Sequence, residues 1–378
     1  MANPSDIPNG DKWMLELLKH TLWNDEMPTN DIDIRDFRSV LSLAKVHTIS
    51  ALVSNPVIYG KVTLSCKNNE TNLRQGLVMS MLQTEQMHRV QYAKFRKLLH
   101  ELAAIFRKND VHYVVFKGVA VASHYNVPYL RTMGDIDFFV APSDFERAIV
   151  IIEREWNVCV ERDDTDKHYN FDWQGVRFEM HHRIETFGRK SAQQNFDTWM
   201  EEVVLHDAAS LNINGEQLKV LPPVADIVVV FKHLMNHLLI EGVGLRQVVD
   251  LAVLLNDYRS KIDVQELRAR LQSLGYLGAF DAVVVMLYQE LALPCAMQYA
   301  SLKNKDKKTA RRLFYMIMES GNFGRRAYSN RTDGWAKSVE TAVRAFRHCM
   351  FSFRLMPREM VAFVPRRITI SFKKNLNK

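Results

Sequence analysis

Two aspartates, Asp135 and Asp137, flank a single isoleucine in the segment MGDIDFFV, directly before three apolar residues. The apolar run is typical of a buried strand. Because side chains alternate along a strand, both carboxylates are expected on one face, about 6–7 Å apart. At an effective dielectric of about 20, two such anions repel by roughly 2–3 kcal/mol. A divalent cation would reverse the sign of that energy. The pair is a candidate metal site, although an aspartate that caps the following helix explains the same triplet.

A third acid, Glu179, lies in VRFEMHHRI, another segment whose apolar and aromatic residues predict a strand. Alternation places Glu179 and His181 on one face and His182 on the other. Three carboxylates on neighbouring strands can hold two metal ions that orient a nucleoside triphosphate and activate an attacking hydroxyl. For His181, contact with a metal or an acceptor competes with a hydrogen-bonded packing role, whereas His182 is interpreted as structural.

The segments around these acids resemble the uncharacterised nucleotidyltransferase family of the DNA polymerase beta superfamily. The resemblance rests on Phe-Lys-Gly at 116–118, Arg-x-x-Gly-Asp-Ile-Asp at 131–137 and acid-x-His at 179–181. It implies an α+β fold: a polymerase-beta-like nucleotidyltransferase core with a mixed sheet, flanked by N-terminal and C-terminal helical regions. It also implies an enzyme that moves a nucleoside monophosphate from a nucleoside triphosphate to an acceptor hydroxyl and releases pyrophosphate.

The resemblance assigns roles to individual residues. Asp135, Asp137 and Glu179 would be catalytic and would bind two Mg²⁺ ions, with Mn²⁺ as the alternative ion. Glu179 would also act as base or orienter for the acceptor hydroxyl, and the turn glycine Gly118 would let the backbone approach the triphosphate. The full set of predicted substrate-binding residues is Lys117, Gly118, Arg131, Gly134, His181 and Arg246. The acceptor stays open among a small molecule, a protein and a nucleic acid.

Two departures from the superfamily pattern concern the residues that would bind the triphosphate. Val119 stands where a serine usually follows the turn glycine, and the interval from that turn to Asp135 is longer than usual. Lys117 and Arg131 are candidate cationic substitutes, because both side chains bind phosphate oxygens. Alternatively, Lys117 is a solvated residue at a strand end, and Arg131 pairs with an aspartate and braces its loop. The departures keep a second interpretation open, a non-catalytic nucleotide-binding or regulatory module.

The helical segments downstream contain further polar pairs. His233 and His237 are four residues apart on one predicted helix face, without the glutamate of a zinc protease motif, which favours a core or interdomain histidine pair. Arg246 and Asp250 have the same spacing, which predicts an intrahelical salt bridge. In the family resemblance, the residues of this helix would instead face the cleft.

The charge is unevenly distributed. The chain has a formal net charge of +7, yet residues 301–378 alone contain 19 Lys and Arg against 5 Asp and Glu. This basic region suggests a third interpretation, a nucleic-acid-binding protein, while solvated helix surfaces explain the same charge equally well. Four widely separated cysteines indicate neither a zinc site nor disulfides and predict a cytoplasmic location. No signal peptide or membrane span is predicted.

The hydrophobic periodicity predicts the elements that must position these residues. We expect a helical N-terminal region at 1–109, an α/β core at 110–221 and a helical C-terminal region with a basic tail at 222–378. One long helix, or two in line, is predicted at 72–108 and ends at Asn109-Asp110.

Within the core, the pattern predicts three single strands and two hairpins. The strands are expected at 111–118, 135–140 and 157–163, and the hairpin turns at Gln174-Gly175 and Asn214-Gly215. A helix is expected to start at Pro142 or Ser143. Towards the C-terminus we expect a polar break at 303–308 and a weakly structured segment at 320–334.

Overall fold

A mixed six-stranded sheet forms the centre of the protein. The computed structural model describes residues 9–26, 31–67, 70–162, 167–240, 242–300, 304–321 and 349–362. The strands are β1 (Asp31–Asp33), β2 (Thr63–Ser65), β3 (Tyr113–Phe116), β4 (Ile136–Val140), β5 (His168–Trp173), β6 (Val176–His181), β7 (Ala209–Ile213) and β8 (Glu216–Val220). The sheet order is β5-β6-β4-β3-β8-β7; β4 runs parallel to β6 and β3 to β8, and the other neighbours are antiparallel.

Both predicted hairpins are confirmed. β5 and β6 are joined by Gln174-Gly175, and β7 and β8 by Asn214-Gly215. All four turn residues have positive φ, 49° and 68° in the first turn and 52° and 89° in the second. Two-residue turns with this backbone match the twist of antiparallel strands, and they fix the register of each pair. The register then decides which side chains of β5 and β6 are neighbours.

Helices cover both faces of the sheet. They are α1 (Asn9–Trp23), α2 (Ile34–Val46), α3 (Ser50–Ile58), α4 (Thr71–Lys108), α5 (Gly118–Ala122), α6 (Phe145–Trp156), α7 (Lys190–Glu202), α8 (Pro223–Ile240), α9 (Leu245–Asp257), α10 (Val264–Leu274), α11 (Leu277–Leu291), α12 (Ala296–Tyr299) and α13 (Asn304–Ser320). None of the described helices is both long and apolar enough to cross a membrane.

The side chains of β4 explain how the two helical layers are arranged. Ile136, Phe138 and Val140 belong to a core with α4 and α6, whereas Phe139 belongs to a second core with α8 and α9. The strand is therefore buried on both faces, which accounts for its continuous apolar run. Asp137 alternates with Ile136 and Phe138 and so lies on the α8–α9 side.

The second core joins parts of the chain that are far apart in sequence. It contains Phe37 from α2, Phe231 from α8 and Phe280 from α11, together with Phe116 from the sheet. The long helix α4 instead packs on the opposite face through Phe95, Leu98, Leu102 and Phe106. As predicted, it ends at Lys108 and is followed by Asn109, its C-cap residue. The division at 109 and 221 into separate units stays a prediction.

Two local predictions were wrong within the core. Of the segment predicted as a strand at 157–163, the described residues 157–162 do not form one; among them, only Glu161 bridges to Asn170. The reason is that α6 ends at Asn157 in a left-handed conformation, and the Val160 amide then donates to Glu153 rather than to a strand. α6 itself begins at Phe145, after Asp144, instead of at Pro142 or Ser143.

Differences also occur outside the core. The N-terminal region was predicted as helical, yet β1 and β2 form a short parallel pair in it. The polar break predicted at 303–308 is wrong, since α13 begins at Asn304. Most of the segment predicted as weakly structured, 322–334, lies outside the described residues, as does most of the basic tail.

Candidate active site

The structure brings the three predicted acids together at one end of β4. Asp135 directly precedes the strand, Asp137 is its second residue, and the parallel register pairs Asp137 with Glu179 of β6. Paired residues on neighbouring strands point to the same face, so the Asp137 and Glu179 carboxylates lie side by side. Asp137 is buried, while Asp135 and Glu179 are partly exposed.

A tight turn after β3 brings a lysine to these acids. Lys117 and Gly118 both have positive φ, 58° and 37°. At Gly118 a side chain would be strained by this backbone, and its Cβ would lie 3.5 Å from the Asp135 carbonyl oxygen. The turn directs the Lys117 ammonium to the Asp137 Oδ1 atom, 3.1 Å away. The Nε2 atom of His181 contacts the same oxygen at 3.1 Å.

These neighbours determine the ionisation of the acids. Burial opposes charge on Asp137, but the Lys117 ammonium and His181 outweigh it and hold the pKa of Asp137 well below its usual range. Burial raises the pKa of Asp135, and the negative charges of Asp137 and Glu179 raise it further. Burial also lowers the pKa of His181, yet its contacts with Asp137 and Glu179 raise it overall. The negative charge is concentrated enough to favour a bound cation.

All the predicted site residues line one cavity of about 320 Å³. These are Lys117, Gly118, Arg131, Gly134, Asp135, Asp137, Glu179, His181 and Arg246. Sequence reasoning missed or set aside further lining residues, namely Lys167, His168, His233, His237, Gln247 and Asp250. Val119, in contrast, is buried against the α4–α6 core and is not a lining residue. The Val119 side chain therefore does not line the cavity.

His168 could have been found from the sequence. The Gln174-Gly175 turn pairs Trp173 with Val176, and counting back along both strands places His168 opposite His181. The signal was the two-residue turn, which sets the register. No comparable signal exists for residues that reach the cavity from distant helices.

The predicted salt bridge between Arg246 and Asp250 is wrong. Asp250 instead binds Arg131 through two hydrogen bonds, from Nε at 2.7 Å and from Nη2 at 2.8 Å, and accepts a third from the Tyr125 hydroxyl at 2.6 Å. Arg131 and Asp250 are both buried, so their pairing compensates two desolvated charges. Of the two earlier alternatives for Arg131, the geometry favours the bracing role.

Arg246 is left facing the cavity. Within the described residues its side chain makes no ion pair, and the only side-chain hydrogen bond is from Nη1 to the Thr132 carbonyl oxygen at 3.4 Å. Burial, together with the nearby Arg131, lowers the pKa of Arg246. A largely buried guanidinium beside Gly134, without a carboxylate partner among these residues, is suited to an anionic ligand.

The histidine pair on α8 lies at the cavity wall. His233 and His237 are 3.1 Å apart between their Nε2 atoms, and His233 Nδ1 is 3.2 Å from the fully buried Glu185. Lys167 donates to the other Glu185 oxygen at 2.7 Å. Burial, with the Lys117 charge, lowers the pKa of His233 to about 3, so the imidazole is neutral at physiological pH. His233 therefore adds an uncharged polar group to the cavity wall.

Asp226 of α8 lies behind this wall. Its buried position predicts that the stability of the folded protein depends on pH. One carboxylate oxygen accepts from Tyr258 at 3.2 Å, and the other has no hydrogen-bond partner within the described residues. Burial raises its pKa to about 7, and the Asp250 charge adds to the shift. The folded pKa lies above the unfolded value, so the stability that this group contributes is fully present below about pH 4 and is lost as pH rises through about 7.

Asp226→Asn removes this titration. We expect the free energy of unfolding of the wild type to decrease relative to the variant by up to about 4 kcal/mol between pH 4 and pH 8. Urea unfolding at several pH values measures the difference. Parallel pH profiles for the two proteins would contradict the assignment.

A mixed sheet whose carboxylates and cations converge on one cavity is the kind of site found in nucleotidyltransferases. A family described as uncharacterised nucleotidyltransferases matches residues 33–291, and the chain belongs to this family. The match confirms the predicted family, and the mixed α+β architecture confirms the predicted fold class. No curated protein has a significant sequence match to the chain.

Two solved structures are similar to parts of the chain. An antigenic nucleotidyltransferase-like protein from Paracoccidioides brasiliensis is 13% identical with a TM-score of 0.34, covering 56% of this chain and 94% of its own. The solution structure of the antibiotic-resistance factor ANT(2'')-Ia is 12% identical with a TM-score of 0.35, covering 48% of this chain and 92% of its own.

Proposed function

We propose that the protein transfers a nucleoside monophosphate from a nucleoside triphosphate to an acceptor hydroxyl and releases pyrophosphate. The observation that carries the proposal is the register of β4 and β6, which puts Asp137 beside Glu179 and next to Asp135 at the wall of one cavity. Membership of a nucleotidyltransferase family supports the reaction class. The proposal includes the cytoplasmic location predicted from the separated cysteines.

The donor set fits divalent cations. Three carboxylates share the cavity wall, and the raised pKa of Asp135 reflects burial together with repulsion by Asp137 and Glu179. We propose that Asp135, Asp137 and Glu179 bind two Mg²⁺ ions, which when bound would neutralise phosphate charge and lower the pKa of the acceptor hydroxyl. Glu179, which is partly exposed, would also accept a hydrogen bond from the acceptor hydroxyl and orient it.

The triphosphate would lie against the cationic part of the cavity. Arg246 and Lys167 line it on the side of α8 and α9, and Lys117 lies beside Asp137. Arg246 has the strongest case, because no carboxylate among the described residues neutralises it and its planar guanidinium can bind two phosphate oxygens. The open backbone at Gly118 and Gly134 would allow close approach of the phosphates.

Arg246→Met is expected to weaken triphosphate binding by about 10–100-fold, because a hydrogen-bonded charge contributes about 1.5–3 kcal/mol. Calorimetric titration with a non-hydrolysable triphosphate and Mg²⁺ measures the loss. Arg154→Met, which removes an exposed arginine on α6, is the matched control and should bind like the wild type. Equal affinities for both variants would rule out the assigned role of Arg246.

The function itself is tested with α-labelled nucleoside triphosphates, Mg²⁺ and acceptors from the three open classes: small hydroxyl compounds, proteins and RNA. We expect label in one acceptor class and an equal amount of pyrophosphate. Triphosphate binding without either product across all acceptors would favour the non-catalytic nucleotide-binding module instead. Binding of RNA or DNA that weakens steeply with salt, without triphosphate binding, would favour the nucleic-acid-binding interpretation.

A further inference from the structure

Two histidine side chains, those of His168 and His181, bring nitrogen atoms close to the carboxylate of Glu179. The Nε2 atom of His181 is 3.4 Å from the Glu179 Oε2 atom, and the Nδ1 atom of His168 is 3.6 Å from the same oxygen. One donor atom from each of these three residues lies within 4.8 Å of the other two. Ligands bound about 2.0–2.2 Å from one ion are themselves about 3.0–3.5 Å apart. The two spacings to the Glu179 oxygen are close to that range.

The register of two strands and one backbone carbonyl group orient the rings of His168 and His181. The β5–β6 register pairs His168 with His181, and their ring centroids are 4.8 Å apart. His181 Nδ1 is 3.2 Å from the Arg183 carbonyl oxygen, which only accepts hydrogen bonds. The ring therefore has a hydrogen on Nδ1 and directs Nε2 towards the carboxylates of both Asp137 and Glu179, at 3.1 and 3.4 Å. Metal-ligating histidines are commonly held through their second nitrogen in this way.

We propose that His168, Glu179 and His181 form a site for a first-row transition-metal ion. Mg²⁺ prefers all-oxygen coordination, whereas imidazole nitrogens favour ions such as Co²⁺, Ni²⁺ and Zn²⁺. Asp137 is not included in this set, because its Oδ1 atom already accepts a hydrogen bond from the Lys117 ammonium at 3.1 Å. Its other carboxylate oxygen would be the one that binds Mg²⁺. The inference rests on the proposed function, because it makes one of the two catalytic ions a transition metal and leaves Asp135 and Asp137 to Mg²⁺.

Co²⁺ is the probe, because its visible absorption reports nitrogen and oxygen coordination without any turnover. We expect Co²⁺ to bind the wild type and to resist displacement by a tenfold excess of Mg²⁺. His168→Gln should weaken Co²⁺ binding at least about tenfold through the loss of one ligand. His182→Gln is the matched control, since this neighbouring exposed ring packs against Phe145 and Tyr169, away from the cavity, and should leave the affinity unchanged.

A second substitution keeps the test independent of folding. His168→Cys supplies a sulfur donor at the same position, so it should retain Co²⁺ and add a thiolate-to-cobalt band in the near ultraviolet. The inference is overturned if His168→Gln binds Co²⁺ like His182→Gln, if Mg²⁺ displaces Co²⁺ readily, or if the new band is absent.

Failure of the inference and failure of the proposed function have different signatures. If the wild type transfers label with Mg²⁺ alone and Co²⁺ binding does not depend on His168, the inference fails and the function stands. If Co²⁺ binding depends on His168 but no metal ion supports label transfer to any acceptor, the function fails and the metal site stands.

Discussion

Asp137→Asn is expected to reduce metal-dependent nucleotidyl transfer by about 10³-fold or more. Asp137 is the buried member of the acidic group, and its carboxylate is held ionised by Lys117 and His181. In the proposed reaction it would bind the ions that neutralise phosphate charge. Losing several kcal/mol of that stabilisation corresponds to about three orders of magnitude in rate. Release of pyrophosphate from a labelled triphosphate measures the effect.

The asparagine variant should still fold. Lys117 would lose one partner, but the Glu185, Asp135 and Glu179 charges also stabilise its ammonium form. Asp172→Asn is the matched control, since Asp172 lies on β5 in an exposed pair with Arg177 and should retain full activity. Activity in the Asp137 variant within tenfold of that control, with both proteins folded by circular dichroism, would remove Asp137 from the catalytic group.

The acidic group could be predicted because its geometry is set locally. Two-residue periodicity determines that Asp135 and Asp137 share a face, and the apolar neighbours of Glu179 mark a strand of the same sheet. What the sequence left open was strand order. The position of β6 directly beside β4, with Asp137 opposite Glu179, is determined only when the whole sheet assembles. The expectation that these two strands are neighbours came from the family resemblance and not from the periodicity.

The helical side of the cavity could not be predicted in the same way. Helix α8 is apolar around most of its circumference, so its sequence does not show which face meets the sheet. His233 therefore looked like a core residue, although its partner Glu185 and its position at the cavity are tertiary features. The i, i+4 rule failed for Arg246 because it describes isolated helices, where no competing partner exists.

Asp250→Asn is expected to lower the free energy of unfolding by about 3–5 kcal/mol, because it leaves the buried Arg131 guanidinium without a counter-ion. The Tyr125 hydroxyl would keep an acceptor in the asparagine oxygen, so the loss comes mainly from the arginine. Urea unfolding at pH 7 measures the change. Asp281→Asn is the matched control: its partner Arg268 is about a third exposed, and loss of such a pair costs at most about 1 kcal/mol.

The double variant Arg131→Met, Asp250→Leu separates pairing from packing. Replacing both buried charges by apolar groups removes the uncompensated ion, so the double variant should be more stable than Asp250→Asn alone. Together with the wild type and the single variants Arg131→Met and Asp250→Leu, it completes a double-mutant cycle that gives the coupling energy of the pair. If Asp250→Asn costs no more than Asp281→Asn, the Arg131–Asp250 pair does not brace the loop before β4, and Arg131 returns to the candidates for triphosphate binding.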